Sequence, residues 1–248
     1  MTVPPRLRVI GPGRAGRSLA TALGRAGWVV HPLLGRGDDL TDAAADTDLL
    51  VVATPDAAIA EVAAAVAPDS RVVVAHLAGS LGLDVLGGHL RTAGLHPLVA
   101  LPTAEVGAAR LAAGTWFAVA GDPLVQRAVS DLHGHWFEVA DADRAAYHAA
   151  AVVASNHLVA LVGQVERIAG GIGVPAEAYA GLARGALEDA IALGPTAALT
   201  GPTARGDWAT VARHLTALDP AERDTYRALA AAARRLVDDD GLPPDLPA

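Results

Sequence analysis

The stretch RLRVIGPGRAGRSLATAL at residues 6–23 decides the fold, because three closely spaced glycines join an apolar strand to a helix. Gly11 permits a tight turn, Gly13 lets the backbone approach a pyrophosphate, and Gly16 lets the helix pack closely on the strand. The helix then points its free N–H groups and the positive end of its dipole at the phosphates. This arrangement predicts a dinucleotide-binding site at the start of an α/β domain.

Arg36 follows the second predicted strand, at residues 28–34. A site for NAD would be expected to carry Asp or Glu at this point, where the carboxylate accepts a hydrogen bond from the ribose 2′-hydroxyl. An arginine pairs instead with a 2′-phosphate, which a carboxylate would repel. The position therefore predicts NADPH as the cofactor. Asp38 and Asp39 follow closely and could serve a ribose hydroxyl, so NADH stays an alternative.

The amino-acid composition limits the possible chemistry. The chain has no Cys, and all 19 of its basic residues are Arg. Without Cys there are no disulfides or thiolate nucleophiles, which suits a reducing cytoplasm. Without Lys, a general acid must come from His, Tyr, Asp or Glu. His133 and His135 lack an acidic cluster at zinc-binding spacing, so we expect no metal site.

The net charge of −8 argues against a nucleic-acid groove and against an anionic membrane surface, since both favour basic faces. We see no uninterrupted apolar run that approaches the roughly 18 residues of a membrane span. The first residues, MTVPPRLR, lack the apolar core of a signal peptide. We expect a cytoplasmic protein that binds a small-molecule substrate and neither nucleic acid nor a membrane.

Apolar runs alternate with helical stretches through the first part of the chain, which predicts a parallel or mostly parallel, doubly wound sheet with helices on both faces. Further strands are expected at 49–54, 71–75, 94–96, 115–120 and 135–139. Helices are expected at 55–68, 83–90 and 123–132. Residues 1–140 are thus predicted to form an NADP-binding Rossmann domain.

Long Ala- and Leu-rich stretches replace the β-branched runs beyond about residue 140. They lie at 142–169, 175–193, 207–217 and 220–237, separated by breaks rich in Gly, Pro or Asp. We therefore predict an all-α helical domain at residues 141–248, used for substrate binding and dimerisation. The tail from Asp238 is expected to fray.

Polar residues that follow predicted strands or share a predicted helix are candidates for the site. Cofactor-binding candidates are Gly11, Gly13, Arg14, Ala15, Gly16, Arg36, Thr54 and Pro55. Three further clusters are AHLAGS with Ser80, GLHPL with His96, and YHAAAVVASNHLVAL with Tyr147, His148 and Asn156. In the third cluster, an unbroken α-helix would bring Tyr147 and His148 close to one face with Asn156, about two turns away.

At these residues the chain resembles a known family of bacterial proteins. The family pairs an NADP-type Rossmann domain with a helical domain of formerly unassigned function, and is related to the ketopantoate, pyrroline-carboxylate and β-hydroxyacid reductases. The likeness rests on VIGPGRAG, ATPD, the HPL at His96, YHAAAVVASNHLVAL, and ALTGPTARGD at residues 198–207, and covers nearly the whole chain. One branch looks like an alternative type of ketopantoate reductase, which implies small 2-keto acids as substrates.

The resemblance has one gap, which concerns the proton donor. Better-known ketopantoate reductases carry on one helix a Lys followed by two Asn at successive four-residue intervals. In the register we infer, His148 stands in place of the lysine, Val152 replaces the first Asn, and Asn156 matches the second. Because histidine has an ordinary pKa near 6.5, His148 can replace lysine as general acid, with Asn156 beside it. A surface or packing histidine is the alternative interpretation.

The motif TGPTARGD supplies two further candidates. The guanidinium fork of Arg205 matches a keto-acid carboxylate, although an ion pair that joins the domains is an equally good explanation. Asp207 is a plausible N-cap for the helix that follows. The predicted substrate-binding set is Ser80, His96, Tyr147, Arg205 and Asp207.

Together these observations predict an NADPH-dependent reductase of a small 2-keto acid. Two alternatives remain: a non-catalytic NADP-binding sensor or interaction module, and a reductase of a cyclic imine or a deazaflavin. Helical domains of the related proteins often pair, which implies a homodimer through the apolar faces of residues 148–169 and 175–193.

Overall fold

The computed structural model describes residues 3–238, 241–244 and 246. The chain divides into two compact units, Met1–Ser155 and Asn156–Ala248. The boundary expected after Ala140 falls in the loop before the last helix of the first unit. The sequence predicted an α/β domain followed by helices, and the structure confirms that fold class.

A single seven-stranded sheet forms the centre of the first unit. Its strands are β1 (Arg6–Ile10), β2 (Val29–Val30), β3 (Leu49–Val52), β4 (Val73–His76), β5 (Thr92–Pro97), β6 (Trp116–Gly121) and β7 (His135–Glu138). The spatial order is β2-β1-β3-β4-β5-β6-β7. Every residue of β3 and β4 is buried, as continuous apolar runs with helices on both faces require.

Four helices cover the faces of this sheet, and a fifth ends the unit. They are α1 (Arg14–Arg25), α2 (Ile59–Ala64), α3 (Ala104–Leu111), α4 (Leu124–Asp131) and α5 (Arg144–Val152). Two separate clusters of buried apolar side chains, one on each face of the sheet, form the core. The helix expected at 83–90 is instead a short 3₁₀ turn at Leu83–Leu86, because Gly87 and the left-handed Gly88 end it.

The sheet is mostly parallel, as predicted, and its one antiparallel pair is β5 with β6, in which Pro97 lies opposite Phe117. The chain leaves β5 at Pro97, passes through α3 and begins β6 at the same edge of the sheet. Since α3 brings the chain back to the edge from which it left, β6 must run in the reverse direction. The sheet is therefore mostly parallel, with one antiparallel pair.

The second unit is helical throughout its described residues. A π-helical turn at Val153–His157 continues α5 into α6 (Leu158–Gly171). The other helices are α7 (Ala180–Leu193), the one-turn α8 (Pro195–Ala198) and α9 (Pro202–Arg205), α10 (Trp208–Ala217) and α11 (Pro220–Arg234). Arg167 on α6 donates to Glu222 on α11 at 2.5 Å and 3.1 Å, which ties these two helices together.

The tail was expected to fray, and part of that stretch lies outside the described residues. Its described part is packed: Leu246 is only 8% exposed and joins Val211 and Leu215 in a small core, with Leu242 against it. Arg227 also donates to the carbonyl oxygen of Leu246 at 3.0 Å. The apolar residues of this Pro-rich segment therefore return to the helices.

Helices α6 and α7 expose large apolar side chains, among them Val159 at 72%, Leu182 at 71% and Ile191 at 77%. One helical run, Asp141–Gly171, is long and apolar enough to cross a membrane, with a mean hydropathy of 1.4. The sequence analysis overlooked this run because it looked for uninterrupted apolar residues. Length and composition alone are weak support for a membrane span, since helices that pack against protein share them. The absence of a membrane partner stays a prediction, as does the homodimer.

Candidate functional site

The glycine-rich turn between β1 and α1 has the geometry that the sequence predicted. Gly11 has φ +109°, and a methyl group there would lie 2.6 Å from the carbonyl oxygen of Ala53. A methyl group on Gly16 would overlap the carbonyl oxygen of Gly11, so the helix is packed closely on the strand. At Gly13, by contrast, no described atom beyond its own turn lies within 4 Å of the Cβ position. The turn thus leaves open backbone at the amino end of α1.

A cavity of about 610 Å³ opens beside this turn, at the carboxyl ends of β1, β3 and β5. Ligands of doubly wound sheets bind at this edge. The lining includes six predicted site residues, Gly13, Arg14, Ala15, Thr54, Pro55 and His96. The other lining residues are Ala53, Leu77, Pro97, Val99, Ala100, Leu101 and Pro102.

Two polar side chains near the turn lack partners in the described part of the chain. The hydroxyl of Thr54 is buried and makes no hydrogen bond. Arg36, in the loop beyond β2, makes no ion pair with a described residue. Asp38 and Asp39 are engaged locally, because they accept hydrogen bonds from the backbone N–H groups of residues 35 and 41. Open backbone, an orphan hydroxyl and an unpaired guanidinium fit a phosphorylated dinucleotide.

His96, Tyr147 and His148 form a cluster next to the cavity. The Nδ1 atom of His96 lies 2.6 Å from the Tyr147 hydroxyl, at hydrogen-bonding distance. The rings of His96 and His148 pack edge to face, with centroids 5.7 Å apart. Phe137 packs against Tyr147 with a centroid distance of 5.9 Å and so supports it from β7. The structure thus brings together three residues that the sequence predicted from two separate motifs.

Gly79 separates the two imidazoles of this cluster. A methyl group at Gly79 would lie 2.5 Å from Nδ1 of His148 and 2.9 Å from Nε2 of His96. Nδ1 of His148 is buried and has no hydrogen-bond partner among the described residues. Two ring nitrogens therefore approach one small space that only a glycine leaves free.

Burial sets the protonation of this cluster. Burial first, and the positive charge of a protonated His148 second, lower the pKa of His96 to about 4. Burial also raises the pKa of Tyr147 to about 12. Near neutral pH His96 is therefore uncharged and Tyr147 keeps its proton.

The polar residues around β4 have structural partners. His76 is fully buried; its Nδ1 accepts from the N–H of Ala78, and Nε2 lies 3.2 Å from the carbonyl oxygen of Gly82. With both nitrogens engaged, His76 is a structural residue. The predicted substrate ligand Ser80 donates to Asp56 at 3.1 Å. Its role toward a substrate stays a prediction.

Arg144 and Gly79 are the residues of this region that the sequence analysis missed. The Arg144 side chain is only 2% exposed, and its Nη2 atom lies 3.3 Å from the Cβ position of Gly94 on β5. The available signal was spacing, since Arg144 precedes Tyr147 and His148 by three and four residues on one helix. Gly79 gave no comparable signal among 26 glycines.

Three predicted residues lie in the second unit. Asn156 is part of the π-helical turn, so the α-helical phase assumed between it and His148 does not hold. Arg205 is exposed at the end of α9. Asp207 caps α10 by accepting from the N–H of Thr210 at 3.1 Å, which confirms the predicted N-cap. Their roles toward a substrate stay predictions.

His133 and His135 show no sign of a metal centre. Among the described residues, no group of three His, Cys, Asp or Glu side chains is placed to hold a metal ion. His133 has a left-handed backbone with φ 57°, and His135 stacks on Trp116 with centroids 4.8 Å apart. Turn formation and packing account for both.

Known structures share this architecture at low sequence identity. A Bacteroides fragilis protein assigned as an NADP oxidoreductase matches with a TM-score of 0.78 and 20% identity, covering 94% of this chain and 98% of its own. A reductive aminase from Aspergillus terreus, solved with NADPH4, cyclohexanone and allyl amine, has a TM-score of 0.69 and 17% identity, covering 94% of each chain. Pyrroline carboxylate reductase from Plasmodium falciparum, solved with NADP bound, has a TM-score of 0.60 and 14% identity, covering 94% and 98%.

A search of curated proteins found no match to this sequence. The model of one family does match, over residues 117–233, and its description is a domain of unknown function, DUF2520. The matched residues begin in β6 and extend into α11, so they include Tyr147 and His148. Residues 117–233 thus match the DUF2520 family, and the fold of the chain is similar to those of an NADP oxidoreductase, a pyrroline-carboxylate reductase and an imine reductase.

Proposed function

We propose that this chain is an NADPH-dependent reductase of a small 2-keto acid, of the ketopantoate-reductase type. The observation that carries the proposal is the buried, unpartnered Nδ1 of His148, which approaches the same small space as Nε2 of His96. A substrate oxygen would provide the missing hydrogen-bond acceptor. The shared fold with NADP-binding reductases supports the cofactor.

The residues of the turn and the cavity would hold NADPH. The open backbone at Gly13 would take the pyrophosphate at the amino end of α1, and Arg36 would pair with the 2′-phosphate. The buried Thr54 hydroxyl would find a partner on the bound cofactor. Reduced nicotinamide, when bound, supplies a hydride to an electrophilic carbon.

The histidine pair would supply the proton. As the carbonyl carbon is reduced, its oxygen gains the electron pair of the C=O bond and takes a proton from Nδ1 of His148. That ring is then neutral until solvent reprotonates it. His96, neutral and hydrogen-bonded to Tyr147, would donate from Nε2 to the same oxygen and orient it.

A cyclic imine is the second candidate substrate. It is favoured by the likeness to a pyrroline carboxylate reductase and to imine-reducing enzymes. An imine must be protonated on nitrogen before it accepts a hydride, and the same His148 could perform that step. The two candidates thus share a proton donor and differ in the atom that receives the proton.

The test is NADPH oxidation by the purified chain with two substrate panels. One panel contains 2-keto acids with ketopantoate first, and the other contains cyclic imines. We expect turnover with a keto acid, and His148→Ala should lower kcat by about 10²-fold or more while leaving the Kd for NADPH unchanged. Asparagine tolerates left-handed backbone, so His133→Asn, on an exposed turn, is the matched control.

Other outcomes assign other functions. Turnover with the imine panel alone would show that the substrate is a cyclic imine and not a 2-keto acid. Tight NADPH binding without oxidation in either panel would favour the non-catalytic NADP-binding module. Full activity of His148→Ala would remove this residue from the proton transfer.

A further inference from the structure

Helix α5 presents three chemically different side chains on one face. Arg144, Tyr147 and His148 stand at positions i, i+3 and i+4, so they share one side of the helix. Tyr147 contacts His96 on β5, and His148 lies beside Gly79 after β4. One helix face thus supplies two of the three residues of the His96, Tyr147 and His148 cluster, and a buried cation.

The guanidinium of Arg144 is only partly satisfied. Its Nε donates to Asp141 at 2.9 Å, but Nη1 and Nη2 are buried and have no partner within the described ranges. Asp141 is itself 62% exposed, so the ion pair is screened by solvent and offsets little of the cost of burying a charge. Stability of the fold therefore does not explain why arginine occupies this position.

The charge of Arg144 faces the sheet on the side that carries His76 and His96. Its Nη2 lies over Gly94, and the Cε1 atom of His76 is 3.7 Å from the same Cβ position. Because side chains alternate along a strand, His96 projects from β5 on the same face as a Cβ of Gly94 would. The positive charge thus lies on the histidine side of the sheet.

The ionisable groups around His76 and His96 come from four elements. His76 belongs to β4, while Arg144, Tyr147 and His148 belong to α5. The acidic groups are Asp56, in the turn after β3, and Asp141, which precedes α5. The carboxylates favour a charged imidazole and Arg144 opposes one, so the position of the proton depends on which influence is larger.

We propose that Arg144 is a positioning residue whose fixed charge, added to the effect of burial, disfavours a proton on His76 and His96, so that within the histidine pair the proton to be donated resides on His148. The role rests on the proposed function, in which His148 donates that proton. The positive charge of Arg144 lowers the pKa of His76 after burial, and it lowers the pKa of His96 after burial and the charge of His148. It also lowers the pKa of Tyr147, against the rise caused by burial.

The test is an NMR titration of the histidine Cε1 resonances, which needs neither substrate nor cofactor. In the unmodified protein the His96 resonance should titrate near its pKa of about 4. Arg144→Met removes the charge and keeps much of the volume, so the midpoint for His96 should rise by about 1 pH unit, the size expected for a charge a few ångströms away. Arg144→Lys keeps a charge and should restore most of the original value.

Asp141→Asn is the matched control, because it removes the ion pair and leaves the guanidinium. The His96 midpoint should not rise in this variant. An unchanged midpoint in a folded Arg144→Met protein, judged by circular dichroism, would overturn the proposal. If Arg144→Met does not fold, Arg144→Gln is titrated instead, and loss of folding in both makes Arg144 a structural residue and overturns it as well.

The titration separates this inference from the proposed function. A rise in the His96 midpoint without turnover on any substrate would support the electrostatic role and contradict the reductase. Where turnover is found, the acidic limb of the kcat profile should move upward in Arg144→Met, because His96 then competes for the proton. A purely structural role would leave that limb in place.

Discussion

Gly13 and Gly16 stand three residues apart in one turn, yet the protein tolerates a side chain at only one of them. A methyl group at Gly13 meets no described atom within 4 Å beyond its own turn, whereas one at Gly16 overlaps the carbonyl oxygen of Gly11. We expect Gly13→Ala to keep the melting temperature and to weaken NADPH binding about tenfold or more, since the methyl would occupy the approach of the pyrophosphate. Fluorescence titration and thermal unfolding measure the two effects.

Gly16→Ala is the companion variant for that experiment. It should lower the melting temperature, because α1 must move away from β1 to relieve the overlap. Unchanged NADPH affinity in a stable Gly13→Ala protein would show that the dinucleotide does not lie against this turn.

Arg36 tests which dinucleotide is bound. Arg36→Asp should weaken NADPH relative to NADH by roughly 1.5–3 kcal/mol, about the worth of a charged hydrogen bond. The ratio of the two KM values measures this effect. Arg25→Asp is a suitable control, because Arg25 pairs with Glu105 on the surface. A ratio that does not change in Arg36→Asp would remove the residue from the 2′-phosphate site.

At this scale the sequence identified six of the thirteen residues that line the cavity, because each follows a strand or belongs to a recognisable motif. It proposed His96, Tyr147 and His148 separately, and only the fold shows that they meet. Arg144 was missed because a lone arginine at the start of a helix is typical of a solvated surface charge. Its burial depends on tertiary packing that no local pattern contains.

Among the elements, α10 allows two roles of Asp207 to be separated. The carboxylate accepts from both the N–H and the hydroxyl of Thr210, and these hydrogen bonds hold its pKa below the ordinary value. Asp207→Ala should lower the melting temperature by about 2–4 °C, whereas Asp207→Asn, an equally good cap, should leave it nearly unchanged. Loss of activity in a stable Asp207→Asn protein would indicate a second role for the charge, in the substrate site.

The elements differ in how well the sequence predicted them. The buried strands β3 and β4 were found, because continuous apolar runs leave no alternative. Helix α3 was not predicted, since it has eight residues and an internal glycine. That glycine is required by packing, as a side chain at Gly107 would collide with Ser18 on α1. The mostly parallel sheet was predicted correctly, but the sequence did not show which strand is reversed, because alternation of strands and helices does not encode the direction of a single strand.

For the whole molecule, composition and periodicity were sufficient to predict an α/β unit followed by helices. They do not show that the first compact unit extends to Ser155. It extends this far because side chains of α5 contact the edge of the sheet, as Tyr147 contacts His96. The exposed apolar side chains of α6 and α7 are another feature of the folded molecule as a whole. The sequence predicts a second copy of the chain as its partner, and sedimentation of the purified protein would test that prediction.

The empty space at Gly79 also has an evolutionary consequence. The imidazoles of His96 and His148 reach into the volume that a side chain at position 79 would occupy. Even alanine, the smallest replacement for Gly79, therefore displaces one of the two rings. Positions 79, 96 and 148 are therefore not free to drift independently. A lineage that acquires a side chain at the first of them must give up or relocate a histidine, and with it the chemistry.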